Sequence, residues 1–295
     1  MMRESTRWML KKHGWRIDRF IHNYVYFVFY YPYVKTVGIL LPLVDHVRWF
    51  KPLAVLGRMV FSRYHSKVLS FGDAKQIFSL NQDIRYVAEA NKQIIPFKYA
   101  TKIIFQEPRH IAIMDCPCKK ATNTCEPVKS CIAVGKQLAT FWLDHCQKYH
   151  AERITQEEAL EVIRRFRQQG HVTQAFFKVA TGGSTGVICN CCPDCCVSLK
   201  ATRYTRKIDS RLAMNAPSGY SIRHDAGKCD LCGTCREVCH FAAIDIADGV
   251  RRYDPSECMG CELCVEQCPR NALELFVDPK KPLPLDLDRI QRTYE

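Results

Sequence analysis

Two runs of four cysteines, each spaced C-x2-C-x2-C-x3-C, constrain this chain more than any other feature of its sequence. The first run, "CDLCGTCREVCHFAAIDI" (229–246), aligns with the second, "CMGCELCVEQCPRNALEL" (258–275), at an offset of 29 residues. Such a spacing curls a loop so that three thiolates face one cubane and the fourth points toward the neighbouring run. Zinc is the alternative, but it usually takes C-x2-C pairs set well apart, so the runs favour two iron–sulfur clusters.

The two runs resemble the bacterial two-cluster ferredoxins, and the resemblance covers roughly residues 219 to 278. It implies two [4Fe–4S] clusters with crossed ligands, the first on Cys229, Cys232, Cys235 and Cys268 and the second on Cys258, Cys261, Cys264 and Cys239. Each run then supplies a ligand to the other cluster, so the folding of the two runs is coupled through the clusters. Pro269 fits the family pattern, whereas His240 at the corresponding place departs from it and either tunes the cluster or is a tolerated surface residue.

A second group of cysteines lies in the middle of the chain, in the blocks "CPCKKATNTCEPVKSC" (116–131) and "ICNCCPDCC" (188–196). Its nine members are Cys116, Cys118, Cys125, Cys131, Cys189, Cys191, Cys192, Cys195 and Cys196. Three of them, Cys189, Cys192 and Cys195, repeat the C-x2-C-x2-C spacing and need a fourth ligand. Neighbouring side chains point in different directions, so both members of a vicinal pair, 191–192 or 195–196, rarely serve one metal.

With "IIPFKYATKIIF" just upstream, these blocks resemble a group of cysteine-rich proteins of anaerobes that join such a region to a ferredoxin-like end, over about residues 93 to 200. The resemblance points to a family and not to an activity. The nine cysteines hold either one additional [4Fe–4S] cluster with spare thiols or two clusters if nearly all are ligands. Lys119, Lys120 and Lys129 lie close by in sequence and either favour thiolates or are ordinary solvated lysines.

A helix is predicted between the two blocks, over "ITQEEALEVIRRFRQQG". Thr155 and Glu158 are placed as a capping box, and Gly170 ends the pattern. The apolar stripe is Ala159, Ile163 and Phe166. The charged residues of this helix are expected on a solvated face.

Charge is spread unevenly, with net values of +11 over residues 1–110, +6 over 111–220 and −4 over 221–295. A basic front and an acidic tail suggest separate units with different partners. The Lys and Arg residues are scattered and match no reader motif, so no nucleic-acid partner is expected. The N-terminus shows no secretory signal, which favours a cytoplasmic protein with reduced thiols.

The N-terminal stretch "YVYFVFYYPYVKTVGILLPLV" (24–44) is aromatic and apolar, but Lys35 and two prolines interrupt it. A membrane-spanning helix needs about twenty apolar residues. The preceding "RWMLKKHGWRIDRF" mixes aromatic and basic side chains in a way that suits an interface. Three interpretations stay open: a buried core or partner-docking surface, a peripheral membrane contact, and true insertion.

We therefore expect an α+β protein with a mainly helical N-terminal and middle region, followed by a ferredoxin-like, pseudo-symmetric domain with two [4Fe–4S] clusters. The predicted parts are a basic, aromatic-rich region (1–92), a cysteine-rich middle domain (93–210), the two-cluster domain (219–278) and a tail (279–295). The favoured function is the relay of single electrons to a partner redox protein. The alternative is an iron–sulfur oxidoreductase whose middle cysteines form a reactive site fed by the C-terminal domain.

Overall fold

The computed structural model describes residues 2–15, 17–43, 52, 64–86, 91–96, 103–178, 186–206 and 213–288. The helices are α1 (Glu4–His13), α2 (Ile17–Val28), α3 (Tyr30–Leu40), α4 (Phe71–Phe78), α5 (Asn91–Ile94), α6 (Pro117–Thr122), α7 (Lys136–His145), α8 (Gln156–Gln168), α9 (Val197–Arg206), α10 (Thr234–Glu237) and α11 (Leu263–Glu266), with a 3-10 turn at Gln147–Tyr149. The strands are β1 (Tyr64–Val68), β2 (Ile84–Tyr86), β3 (Ile103–Phe105), β4 (Ile111–Asp115), β5 (Lys129–Val134), β6 (Glu152–Ile154), β7 (Val172–Lys178), β8 (Val187–Cys191), β9 (Asn215–Ala216), β10 (Tyr220–His224), β11 (Ile244–Ala247), β12 (Val250–Tyr253) and β13 (Leu273–Val277).

Seven strands form one mixed sheet, in the order β6-β4-β5-β8-β7-β1-β9. Its neighbours are antiparallel except β1 and β9, which run parallel. Apolar clusters cover both faces of the sheet, and β4 and β8 are buried along their whole length. The expected α+β class is confirmed.

The prediction of a mainly helical middle region is wrong, because this sheet forms its centre. A strand that is buried on both faces lacks the alternation of apolar and polar residues by which a half-exposed strand is recognised. Strand β8 also has two cysteines and an asparagine among its five residues, so its sequence suggests a ligand block rather than a strand.

Alternate residues of the central strands project to opposite faces of the sheet, as the pleat requires. Cys131 of β5 lies directly across from Cys189 of β8, and both contribute to one apolar cluster together with Cys191. Their neighbours Ile132 and Ile188 contribute to the cluster on the other face. One face of the sheet therefore carries the cysteines of both middle blocks.

Helix α8 follows its prediction closely. Thr155 and Glu158 form the capping box, and the helix gives way to Gly170 at a φ of 80°. The whole predicted stripe is buried: Ala159, Ile163 and Phe166. The solvated face does not extend to Arg167, whose side chain is only 2% exposed.

The N-terminal helices pack one face against the cysteine-bearing side of the sheet. Phe27, Tyr30 and Val34 are buried there, and the ring centroid of Phe27 lies 6.2 Å from that of Trp142 on α7. Among the described residues, no helix is both long and apolar enough to cross a membrane. The opposite face of α2 exposes an apolar stripe, which consists of Ile17, Ile21, Val25 and Phe29.

The C-terminal unit repeats in its backbone as it does in its sequence. Each cysteine run leads into a short helix and a strand, and the unit is closed by the antiparallel pairs β10–β13 and β11–β12. Left-handed backbone conformations recur at the same offset of 29 residues, in the pairs Leu231 and Gly260, Gly233 and Glu262, and Ala242 and Asn271. Two copies of one loop–helix–strand unit therefore face each other.

Contacts cross the segment boundaries drawn from the sequence. Strand β1, from the N-terminal region, lies between β7 and β9 in the central sheet. Leu285 and Leu287, from the tail, are fully buried in the cluster that contains Ile77 of α4. The four-part division stays a prediction about sequence segments.

Candidate metal centres

The first predicted ligand set surrounds a small cavity in the C-terminal unit. The cavity has a volume of about 20 Å³, and its lining includes all four members of the set, Cys229, Cys232, Cys235 and Cys268. Cys232 is exposed and the other three are partly buried. The thiol from the second run therefore lies with three thiols of the first run.

The second predicted set gathers deeper in the same unit. Cys258 and Cys239 are electrostatic neighbours of Cys261, and both also act on Cys264. Burial raises the pKa of the Cys261 thiol to about 12 and raises the pKa of Cys264 well above its ordinary value. Deprotonation at such sites needs the positive charge of a coordinated metal, so the donor set fits an iron–sulfur cluster.

Backbone amides point at the sulfurs in both runs. The amide of Leu231 donates to Cys229 Sγ and the amide of Gly260 donates to Cys258 Sγ, each over 3.4 Å. A Cβ at Gly260 would overlap Ser218 Oγ and the Tyr220 carbonyl oxygen, so only glycine fits beside this ligand loop.

Residues 251–274 match the family model described as a 4Fe-4S binding domain. The C-terminal unit is a 4Fe-4S ferredoxin-type domain. The match spans the second cysteine run and its flanking strands, and the backbone repeat gives the first run the same local structure.

Parts of the chain are also similar to parts of three known proteins. The chain is 38% identical over 106 residues to one subunit of the Na(+)-translocating ferredoxin:NAD(+) oxidoreductase complex of Acetobacterium woodii, which covers 35% of this chain and 29% of that protein. It is also 38% identical over 63 residues to a subunit of indolepyruvate oxidoreductase of Methanothermobacter marburgensis, covering 21% of this chain and 10% of the relative. A third similarity, 38% over 58 residues, is to an uncharacterised ferredoxin of Methanocaldococcus jannaschii and covers 19% of this chain and 38% of that protein. The chain thus spans well under half the length of these relatives.

Helix α8 attaches the ferredoxin-type domain to the middle region. The buried guanidinium of Arg167 donates from Nε to both carboxylate oxygens of Glu266, at 2.9 and 3.0 Å, and from Nη2 to the Cys261 carbonyl at 2.8 Å. His240 Nε2 donates to the Gly170 carbonyl at 2.5 Å. His240 is therefore a contact between the two units and not a free surface residue.

Six of the nine middle cysteines form a closed ring of thiol contacts, which we call the six-thiol ring. In ring order its members are Cys116, Cys118, Cys196, Cys191, Cys189 and Cys131. The sulfurs of Cys131 and Cys189 lie 3.7 Å apart. Hydrogen bonds from neighbouring thiols lower the pKa of Cys116 and of Cys196. Hydrogen bonds to neighbouring thiols raise the pKa of Cys118, Cys131 and Cys191.

A cavity of about 170 Å³ borders every thiol of the ring. Folded interiors leave few voids larger than a water molecule, whose share of liquid volume is about 30 Å³. A space of this size lined by thiols fits an iron–sulfur cluster, because thiolates are the donors that hold such clusters.

The other three middle cysteines contact one another through Cys125, and we call them the cysteine trio: Cys125, Cys192 and Cys195. Cys192 and Cys195 also line the large cavity. The vicinal pairs are divided between the two groups, as side-chain direction predicts. Cys125 and Cys195 are joined as a disulfide, so the expectation of reduced thiols is wrong for this pair, whose sulfurs converge from two loops. The other sixteen cysteines form no disulfide.

Of the three lysines noted in the sequence, one faces the thiols. Lys119 is 1% exposed and lines the cavity, and its Nζ lies 3.6 Å from the ring centroid of Phe166. Burial lowers the pKa of Lys119, while Cys116 and other thiols raise it. Lys120 pairs with Asp115 at 3.5 Å and Lys129 with Glu152 at 2.8 Å, so these two are ordinary surface lysines.

Sequence reasoning missed His171, which lies between the trio and the ferredoxin-type domain. The residue is 7% exposed, and its ring stacks on Phe166 with centroids 5.1 Å apart. Burial, together with Lys119, lowers the pKa of His171 to about 4. A single histidine outside the cysteine blocks gives no sequence signal for such a position. Tyr26 and Tyr30 also border the large cavity. They come from helices far upstream, and nothing in the sequence places them beside the cysteine blocks.

Proposed function

We propose that the protein is an iron–sulfur electron-transfer protein. It carries two [4Fe–4S] clusters in its ferredoxin-type domain and one or two further clusters in the middle cysteine region, and it relays single electrons to a partner redox enzyme. The relatives named above include two subunits of oxidoreductases, which supports a role inside a redox assembly.

The observation that carries the proposal is the thiol-lined cavity in the middle region of a chain that also has a ferredoxin-type domain. A lone ferredoxin-type domain would need no such neighbour. The arrangement gives the chain two kinds of thiol site within one folded body, one near the surface at Cys232 and one enclosed under the N-terminal helices.

The chain's own residues define the environment of these sites. [4Fe–4S] clusters, when bound, take up and release single electrons. Lys119 places a buried positive charge beside the six-thiol ring and so offsets the negative charge of thiolates there. Arg167 holds the Cys261 loop against α8 and thereby fixes the ferredoxin-type domain against the middle region.

A second candidate is an oxidoreductase with a reactive site at the middle thiols. The large cavity favours it, because the cavity continues past the thiols along a wall that includes Tyr33, Val37 and Leu41 of the N-terminal segment. Apolar space of this kind is typical of small-molecule sites. Six thiols also exceed the four that close one cubane.

Iron counting and alkylation separate these candidates. For anaerobically purified protein we expect about twelve irons per chain, or about sixteen if two clusters occupy the middle region, with matching sulfide. A relay with coordinatively closed clusters should lose little of its reduction of an artificial one-electron acceptor after mild alkylation. Cys146, fully buried and outside both groups, serves as the internal unlabelled control.

A count of about eight irons would contradict a middle cluster. Fast, selective labelling within residues 189–196, with loss of reduction, would replace the relay by the oxidoreductase. A spectral shift on addition of cyanide or a small thiol would do the same, since closed sites shield their iron.

A peripheral contact between the N-terminal helices and an anionic lipid surface completes the proposal. The stripe on α2 presents four exposed apolar residues, Trp15 is 99% exposed, and Arg7 and Lys11 are exposed on α1. Apolar side chains next to basic ones are the usual composition of helices that lie in a membrane interface.

For this contact we expect release of the protein from membranes by high salt or alkaline wash, because the electrostatic part is screened and the buried apolar area is limited. Replacing Ile21 and Val25 together by aspartate should weaken binding to vesicles with anionic lipid about tenfold or more, since each side chain loses about 1 kcal/mol or more of apolar burial. Val250→Asp, an exposed apolar position in the ferredoxin-type domain, is the matched control. Resistance to both washes, or no binding by the parent protein, contradicts the peripheral contact.

A further inference from the structure

The cysteine trio has its own geometry, distinct from that of the six-thiol ring. Cys125 comes from the loop between α6 and β5, and Cys192 and Cys195 come from the turn between β8 and α9. The sulfurs of Cys125 and Cys192 lie 3.1 Å apart, and Cys125 also contacts Cys195 directly. The sulfur of Cys125 therefore contacts two sulfurs of the other loop.

Polar groups around the trio point at its sulfurs. The amide of Asp194 donates to Cys192 Sγ at 3.3 Å, and the hydroxyl of Thr124 lies 3.1 Å from Cys195 Sγ. Hydrogen bonds of this kind orient sulfur ligands and stabilise their negative charge.

His171 adds a nitrogen donor to Cys125 and Cys192. One of its ring nitrogens, together with the sulfurs of Cys125 and Cys192, forms a group whose atoms all lie within 4.8 Å of one another. Its Nδ1 is buried without a hydrogen-bond partner, while the ring hydrogen-bonds the backbone of Asn190. A histidine with one nitrogen held by the backbone and the other left unpaired has the arrangement of a metal ligand.

The spacing of the Cys125, Cys192 and His171 donor atoms fits a single metal ion. In a tetrahedral site with metal–sulfur bonds of about 2.3 Å, ligand sulfurs lie about 3.8 Å apart. Each thiolate of a cubane binds a different iron, so its sulfurs stand farther apart. Three cysteines and one histidine are also a common ligand set of closed zinc sites.

We propose that Cys125, Cys192 and His171, joined by Cys195 once its disulfide with Cys125 is reduced, form a mononuclear, tetrahedral site for a divalent ion of the zinc type, next to the six-thiol ring. The site ties the α6–β5 loop and the β8–α9 turn to the start of β7. It lies next to Lys119 and Phe166, so it braces the wall of the thiol-lined cavity.

The disulfide and the metal site are alternative states of the same sulfurs. Two electrons and two protons from a dithiol reductant convert the disulfide between Cys125 and Cys195 into two thiols. The metal ion then displaces the thiol protons and binds three thiolates and the neutral imidazole.

The test uses the full chain, purified anaerobically with its clusters, reduced with dithiothreitol and titrated with Zn²⁺ or Co²⁺. We expect about one zinc per chain beyond the cluster iron, and a cobalt form with the absorption of a tetrahedral thiolate site. His171→Ala should weaken cobalt binding by more than about 100-fold, because even indirect partners of a metal ligand are worth 10- to 100-fold. His171→Cys should restore binding and strengthen the sulfur-to-cobalt absorption.

His145→Gln and Cys146→Ser are the matched controls, because both residues lie outside the trio, and both variants should bind the metal as the parent does. No additional metal in the reduced, cluster-loaded protein overturns the site. Unchanged cobalt binding in His171→Ala overturns the role of the histidine. If the parent protein holds sixteen cluster irons and Cys192→Ser loses four of them, the trio belongs to a second middle cluster and not to a mononuclear site. If the protein holds eight or twelve irons, zinc or cobalt binding is measured apart from the iron content. Failure of the metal site can then be distinguished from failure of the proposed electron-transfer function.

Discussion

Replacing Cys268 by serine should remove about four irons per chain, and the lost signal should belong to the site of Cys229, Cys232 and Cys235. The reason is spatial, since Cys268 borders the cavity that these three thiols share although it stands at the end of the other cysteine run. Electron paramagnetic resonance of the reduced protein, with iron counting, measures the effect.

Two matched variants define the comparison. Cys235→Ser should give the same spectral loss as Cys268→Ser, whereas Cys264→Ser should remove the other signal. If the Cys268→Ser spectrum instead follows that of Cys264→Ser, the crossed arrangement of ligands is wrong.

Replacing Arg167 by methionine should destabilise the protein by about 3 to 5 kcal/mol, the usual cost of removing one partner from a buried ion pair. The variant leaves the Glu266 carboxylate and the Cys261 carbonyl without their guanidinium donor. Bound clusters make unfolding irreversible, so the midpoint of thermal unfolding at a fixed scan rate is the suitable measurement. A fall of roughly 10 °C is expected.

The effect should also depend on pH. Burial raises the pKa of Glu266 and Arg167 lowers it again, so the pKa of this carboxyl rises further in Arg167→Met. The folded state then binds more protons than the unfolded state, and stability is recovered as pH falls through the folded pKa. Arg164→Met on the same helix is the control, since that side chain is 48% exposed and its ion pair is with the exposed Glu161. Equal shifts for the two variants would contradict the anchoring role of Arg167.

The sequence predicts those features that depend only on the spacing of residues close together in the chain. The paired cysteine runs and the capping box of α8 depend on spacing within a few residues, and both are present in the structure. The central sheet was not predicted, because its buried strands lack alternation and two of them carry cysteines.

The candidate site in the middle region shows the same limit. Its nine cysteines were identified from composition, but their division into a ring of six and a trio depends on the pairing of β5 with β8 and on the direction of each side chain. His171 and Arg167 depend on tertiary contacts, since each becomes buried only where α8 and β7 meet the ferredoxin-type domain.

The ferredoxin-type domain is attached to the central sheet at both of its ends. Strand β9 enters the sheet just before the domain begins, and Leu285 and Leu287 are buried against α4 just after it ends. A domain joined by a single linker is free to swing, whereas two anchored ends leave no hinge about which it can rotate as a body. Rotation of the domain about a single linker is therefore not available to this chain. Under the proposed electron-transfer function, a partner must approach a domain whose position is fixed.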